Sequence, residues 1–270
     1  MGKKVKNIWW VVIFLLILTA CLFPLILLSN KYSFTLTIGW QAILIFIVSV
    51  ICQLLSRHPL HELTGKINLR WLKELMVGSG IGAALMVLPA LLLLAIGAVH
   101  WQSNAFTLAT MVSGFIVFGQ VAIAEELLFR GFMFQQLIKA FGAWPAQLII
   151  GGLFLLTHLN NPGMVGTVKL FAAINIFTAS VLFGITYLKT KSLAMPLGVH
   201  FMANFTQGTI LGFGVSGGKE PSLLTPISMN QPLWLTGGDF GLEASLPGLF
   251  FLVLLVGSLY FWRKAYKFTP

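Results

Sequence analysis

The 270 residues are 57% hydrophobic and 9% charged, with 17 Lys and Arg against 7 Asp and Glu. A soluble domain needs more charge to cover its surface, so the composition excludes one and points to a polytopic α-helical membrane protein. The net charge of +10 does not imply a nucleic-acid partner, because the basic residues fall in short loops between apolar runs, where they control topology.

The N-terminal stretch MGKKVKNIWWVVIFLLILTACLF resembles a signal sequence, and Leu18-Thr19-Ala20-Cys21 resembles a bacterial lipoprotein cleavage box. The apolar run continues past Cys21 to Leu28, which favours an uncleaved first helix. Seven more runs follow near 39–56, 76–99, 107–138, 145–158, 168–188, 193–213 and 246–262. With 8–29 they predict about eight spans, in one integral membrane domain over 1–270. The run 107–138 is too long for one straight crossing, so it is expected to tilt, to break near Gly114 or Gly119, or to project beyond the lipid. Residues 57–75 read as a basic, partly amphipathic helix at the cytoplasmic headgroups. Residues 214–245, rich in Gly, Pro and Ser, read as an irregular outer loop holding Glu220, Asp239 and Glu243. His58, His61 and His100 fall in loops and are expected to be solvated. Cys21 and Cys52 lie in separate spans and give neither a disulfide framework nor a thiolate metal cluster.

Charge orients these spans. With a cytoplasmic N-terminus, thirteen basic residues fall inside: Lys3, Lys4, Lys6, Arg57, Lys66, Arg70, Lys73, Lys139, Lys189, Lys191, Arg263, Lys264 and Lys267. Only Lys31, Lys169 and Lys219 fall outside, so both termini are predicted to be cytoplasmic.

Against this apolar background the spans carry Glu125, Glu126, Arg130, His158, His200 and Asn204. A charged side chain at the helix centre costs roughly 2.5–3.5 kcal/mol on insertion scales, so such residues are usually functional. Glu126 and Arg130 are i and i+4 and can neutralise one another. Glu125 is turned by about 100° and has no such partner. His200 and Asn204 share a face by the same spacing, as do Phe154 and His158. A hairpin turning at 141–144 would put Glu125 and His158 at one depth, about 20 Å from the turn, and Asn204 near it. His200 would sit about one turn nearer the cytoplasm.

These residues carry a resemblance. Glu125-Glu126 with Arg130 (EELLFR), Phe154 to His158 (FLLTH) and His200 to Asn204 (HFMAN) resemble, in order, the EExxxR, FxxxH and HxxxN motifs of the CAAX protease and bacteriocin-processing family, also called Abi. The motif-bearing core runs over about 107–213. The resemblance implies an eight-helix membrane bundle enclosing a polar cavity, as in the eukaryotic Ras-converting enzyme. It further implies that Glu125 activates a water together with His158, while His200 and Asn204 stabilise the tetrahedral oxyanion. Glu126, Arg130 and Phe154 would support the site. The chemistry is coherent in itself, since peptide hydrolysis needs a base, a held water and donors aimed at the developing oxyanion.

Three functions are open to this pattern. The favoured one is a metal-independent intramembrane glutamate endopeptidase without cofactor, acting on membrane-associated peptides or protein C-terminal tails. A second adds Zn²⁺ held by Glu125, His158 and His200. A third is a non-catalytic protein of bacteriocin immunity or peptide binding, or a proton-coupled transporter, since buried Glu and His also build proton relays. The competing roles are a structural salt bridge for Glu126 and Arg130, a hydrogen-bonded packing residue for Glu125, an interfacial histidine at an outer helix end for His158, and interhelical hydrogen bonding for His200 and Asn204. The expected partners are a peptide or protein substrate and the lipid bilayer. The lipobox-like start and the lack of eukaryotic sorting features point to a bacterial cytoplasmic membrane, and so to small peptides or protein tails rather than prenylated ones.

Overall fold

A computed structural model describes residues 2–32, 35–105 and 107–262. Arg263, Lys264 and Lys267, counted above among the cytoplasmic charges, lie outside the described residues. The chain is mainly helical. Helix α1 (Lys3–Tyr32) passes through Cys21 without a break, and α2 (Ile38–Leu55) returns beside it. A four-residue α3 (His61–Thr64) precedes α4 (Leu69–Ala95), strand β1 (Val99–Ser103) and α5 (Leu108–Arg130). Next come α6 (Phe132–Phe141), α7 (Ala143–His158), α8 (Gly166–Thr190) and α9 (Ala194–Phe205), which runs on into a π turn at Thr206–Ile210. Strand β2 (Leu224–Ser228), the short α10 (Leu233–Thr236) and α11 (Leu246–Phe261) complete the described chain.

Large apolar side chains face outward along most of these helices, among them Leu16, Phe23, Trp40, Phe115, Leu156 and Phe250. Such a surface is stable against lipid tails and not against water. The protein is an integral membrane protein. Five helical segments, rather than eight, are by themselves long and apolar enough to cross: Lys3–Tyr32, Ile38–Leu55, His61–Ala95, Leu108–Phe141 and Gly166–Thr190. Helices α7 and α11 are apolar but only 16 residues long. The predicted span 193–213 is a 12-residue α-helix followed by a 5-residue π turn.

Four expectations need correcting. The long run 107–138 breaks at Gly131, not at Gly114 or Gly119. Gly131 leaves the helical region at ψ −129°, and a Cβ there would lie 2.2 Å from the Leu127 carbonyl oxygen, so only glycine fits the corner. Residues 57–75 are not one surface helix. The Asn68 side chain accepts the Trp71 N–H and caps α4, so 69–75 is the first part of a membrane helix. The loop 214–245 is not wholly irregular, because β2 pairs antiparallel with β1, Trp101 opposite Pro226. The bundle is therefore helical with one two-stranded antiparallel sheet, whose strands are separated in the chain by α5 to α9, and His100 stands in β1, exposed. Finally, His58 is half-buried, 3.3 Å from Lys139 Nζ and 3.6 Å from Glu62.

The ends of the bundle differ. At one, Lys4 lies over the Phe141 ring, Lys139 lies 3.6 Å from Glu62, and the Leu193 N–H donates to Thr64 O. The segments predicted to be cytoplasmic meet there. At the other, Trp101 Nε1 donates to Leu211 O and Gln207 Nε2 to Gly214 O, which fastens the β1–β2 cap onto the end of α9. Helix α9 itself is seated on α4 by glycines. A Cβ at Gly78 would lie 2.3 Å from Met195 O, and one at Gly82 would lie 2.2 Å from Val199 O. Small residues bring membrane helices this close.

Candidate active site

The second half of α5 carries two adjacent glutamates into different surroundings. Glu126 is fully buried, with Oε1 3.4 Å from Arg130 Nη1 and 2.8 Å from His200 Nδ1. Arg130, also fully buried, donates through Nη2 to the Ser180 hydroxyl (2.6 Å) and carbonyl (3.0 Å) of α8. Its guanidinium lies 5.0 Å from the Phe154 ring and 5.1 Å from Phe183. Aromatic faces are thus among the groups that receive a cation far from water. Phe183 in turn stacks on the His200 imidazole at 4.7 Å and 9°. The anticipated Glu126–Arg130 pair is present, and it forms part of a wider scaffold joining α5, α8 and α9.

Glu125 faces the other way, into a cavity of about 350 Å³. His158, His200, Asn204 and Phe154 line the same cavity, so the four side chains expected to act together do share a chamber. Much of the remaining wall is apolar, with Leu85, Met86, Phe118, Ile176 and Leu252. The Glu125 carboxylate is not isolated, as the spacing on its own helix had suggested. Its Oε1 is 3.9 Å from His158 Nε2 and its Oε2 is 3.7 Å from His200 Nε2. Both separations are too long for a direct hydrogen bond. Oε2 is buried without any hydrogen-bond partner.

Both imidazoles are held through Nδ1, by different acceptors. His158 Nδ1 lies 2.7 Å from Phe154 O, a carbonyl that can only accept, so Nδ1 carries the hydrogen. In the neutral ring Nε2 then offers a lone pair toward Glu125. His200 Nδ1 faces a carboxylate, again only an acceptor, so it too is protonated. A hydrogen on His200 Nε2 therefore requires the imidazolium form. The role of Phe154 is visible as well. It presents the carbonyl that fixes the His158 tautomer and the ring that packs on His158 at 4.6 Å.

A carboxylate with two imidazoles is a suitable donor set for Zn²⁺ in kind. Among the described residues, however, no group of three or more His, Cys, Asp or Glu side chains is arranged to hold a metal ion. The engagement of His200 Nδ1 by Glu126 leaves Nε2 as the nitrogen that faces Glu125.

Residues 107–206, which hold all three motifs, match the family described as Type II CAAX prenyl endopeptidase Rce1-like. Through this segment the chain is similar to the Rce1-like family. The family is one of proteases, and the Rce1-like segment begins beside the first residue of α5 and ends at the last turn of α9. No curated protein and no solved structure matches the chain.

Four site neighbours carry no motif. Ser180 and Phe183 sit in a helix whose sequence gives no sign that they meet Arg130 and His200. Glu220 and Glu243, in the segment read as an outer loop, line the cavity. Glu243 accepts from the Ser216 N–H and, at 3.0 Å, from the Ser216 hydroxyl. Burial pushes the Glu243 carboxyl above its ordinary range, while the Ser216 bonds and the two imidazoles of the cavity pull the other way. The only available signal was scarcity, since the chain has just seven acidic residues.

Proposed function

We propose that the protein is an intramembrane glutamate endopeptidase that hydrolyses membrane-associated peptides or protein tails. The observation that carries this reading is the gap between Glu125 and His158. With His158 in its neutral form and Glu125 as the carboxylate, Oε1 and Nε2 are both acceptors, 3.9 Å apart, and neither satisfies the other. A molecule with two donors satisfies both, and water is the smallest one.

In the proposed reaction Glu125 takes a proton from that water, with His158 holding its second hydrogen. The oxygen attacks the scissile carbonyl, and the oxyanion forms against the His200 imidazolium and the Asn204 amide. The tetrahedral intermediate then expels the amine, which leaves with the proton held by Glu125. Glu126 accepts from His200 Nδ1, Arg130 donates to Glu126, and Phe154 keeps the His158 ring turned. No step runs through a metal. Activity of the purified protein that disappears with a chelator and returns with Zn²⁺ would refute this version.

The rest of the reading follows the chain. Helices α7, α9 and α11 complete eight crossings around the cavity, within one membrane domain over 1–270 and a core at 107–213. Both termini face the cytoplasm of a bacterial cell. The deciding experiment is Glu125→Gln in the full-length protein. Cleavage of a reporter peptide should vanish while thermal unfolding in detergent is unchanged. Biological activity retained in that variant would favour a non-catalytic immunity or transport role instead.

A further inference from the structure

The charge of the cavity wall is one-sided. Glu125, Glu220 and Glu243 all line it, three of the seven acidic residues in the chain. Among the described residues no lysine or arginine lines it, although the chain carries 17. Arg130 lies behind the wall, fully buried, with Nη1 on Glu126 and Nη2 on Ser180. Lys219, next to Glu220 in sequence, reaches Asp239 at 2.8 Å. Glu243 is fixed by Ser216. Glu220 is half-buried and, among the described residues, has no ion pair.

A second observation marks the chamber as built for a ligand. His158 is 8% exposed and lines the cavity, and its Nε2 makes no hydrogen bond there. Glu125 Oε2, on the same chamber, is buried with no hydrogen-bond partner, and such an atom is costly unless something polar occupies the space before it.

We propose that the cavity selects peptide segments carrying a lysine, an arginine or a free amino group near the scissile bond, with Glu220 as the selecting group. This rests on the endopeptidase reading for the word scissile, but the charge preference is a property of binding alone. A substrate carboxylate brought into the chamber meets Glu125, Glu220 and Glu243 and no lysine or arginine, and the imidazole of His200 on the wall already faces Glu125 at 3.7 Å and Glu126 at 2.8 Å. A cation there gains a partner in Glu220 without displacing an existing ion pair. The chain's overall charge of +10 would by itself favour acidic peptides, so a preference for cationic ones must come from the chamber.

The test uses full-length Glu125→Gln protein in nanodiscs of zwitterionic phosphatidylcholine. The probes are amidated, fluorescently labelled apolar peptides differing at one central position, Lys or Glu. Anisotropy at roughly physiological ionic strength, where the Debye length is about 8 Å, reads the affinities. The Lys peptide should bind about tenfold more tightly than the Glu peptide, the size expected for a partly buried charge contact. Adding Glu220→Gln should narrow that ratio, and Glu220→Lys should invert it. Equal affinities for the two peptides would overturn the proposal, as would a ratio unmoved by both Glu220 substitutions. Wild-type protein cleaving both peptides at equal kcat/KM sinks the charge selection and leaves the peptidase standing. Selective binding without any cleavage does the reverse.

Discussion

Glu126 Oε1 sits 2.8 Å from His200 Nδ1 and 3.4 Å from Arg130 Nη1, so one carboxylate oxygen serves both an imidazole and a guanidinium. All three side chains are buried. Removing one member of such a set leaves a charge without its counterpart in a low-dielectric interior.

Glu126→Met should therefore cost stability on the scale of a broken buried pair, about 3–5 kcal/mol. Glu126→Met with Arg130→Met should recover much of that loss, because the guanidinium is gone and His200 can shed its proton. Thermal unfolding of the two single variants and the double variant measures the coupling. Strictly additive losses would show that the two residues do not act on one another.

Asn204 lines the cavity at the i+4 position from His200. As an oxyanion donor it should matter only when charge develops. Asn204→Ala is expected to lower kcat by about 10²–10³ with KM and unfolding temperature nearly unchanged. A change confined to KM would assign it to substrate binding.

The seat of α9 on α4 offers a paired test. A Cβ at Gly82 would meet Val199 O at 2.2 Å, whereas one at Gly80 meets nothing within 4 Å. Gly82→Val should push α9 outward, displacing His200 and lowering both stability and activity. Gly80→Ala should be neutral or stabilising by up to about 1 kcal/mol, the helix advantage of alanine. Equal behaviour of the two variants would contradict the close α4–α9 approach.

Glu243 gives a pH dependence. Its carboxyl is held above the ordinary range by burial, so the folded state favours the protonated form. That contribution is fully present below the unfolded value near 4.5 and is lost as pH rises through the raised folded value. Glu243→Gln cannot ionise and can still accept from Ser216. Relative to this variant, the wild type should lose unfolding temperature from acid toward alkaline pH. Parallel curves for the two proteins would mean that Glu243 is ionised without penalty.

Residues whose partners are one helical turn away are legible in the order of the amino acids. The i, i+4 spacing of Glu126 with Arg130, and of Phe154 with His158, states a contact outright, and the fold has both. The scarcity of polar groups in apolar runs also singles out Glu125, His158, His200 and Asn204, which line one cavity. Contacts between distant segments leave no such trace. Spacing pairs Glu126 with Arg130 alone, yet its shorter contact is with His200, 74 residues on. Ser180 and Phe183 are ordinary residues for a membrane helix, and only packing gives them a role. The break at Gly131 is hidden because hydropathy does not register a backbone corner, and the β1–β2 pairing because neither short strand is distinctive. Among the described residues five segments are long and apolar enough to cross by themselves, because apolar runs in a sequence do not state how much of each run is one unbroken helix.

Trp144, at the start of α7, stacks edge-on against Tyr260, near the end of α11, at 5.7 Å. Both helices have only 16 residues, about 24 Å of rise, against a hydrocarbon core of about 30 Å. In the eight-span arrangement two undersized pillars stand side by side there, and lipid meeting them has to dip by several ångströms. The dip shortens the path from bulk water to His158 at the tip of α7. Acyl-chain length in the host bilayer then becomes a control on turnover that no residue of the site supplies.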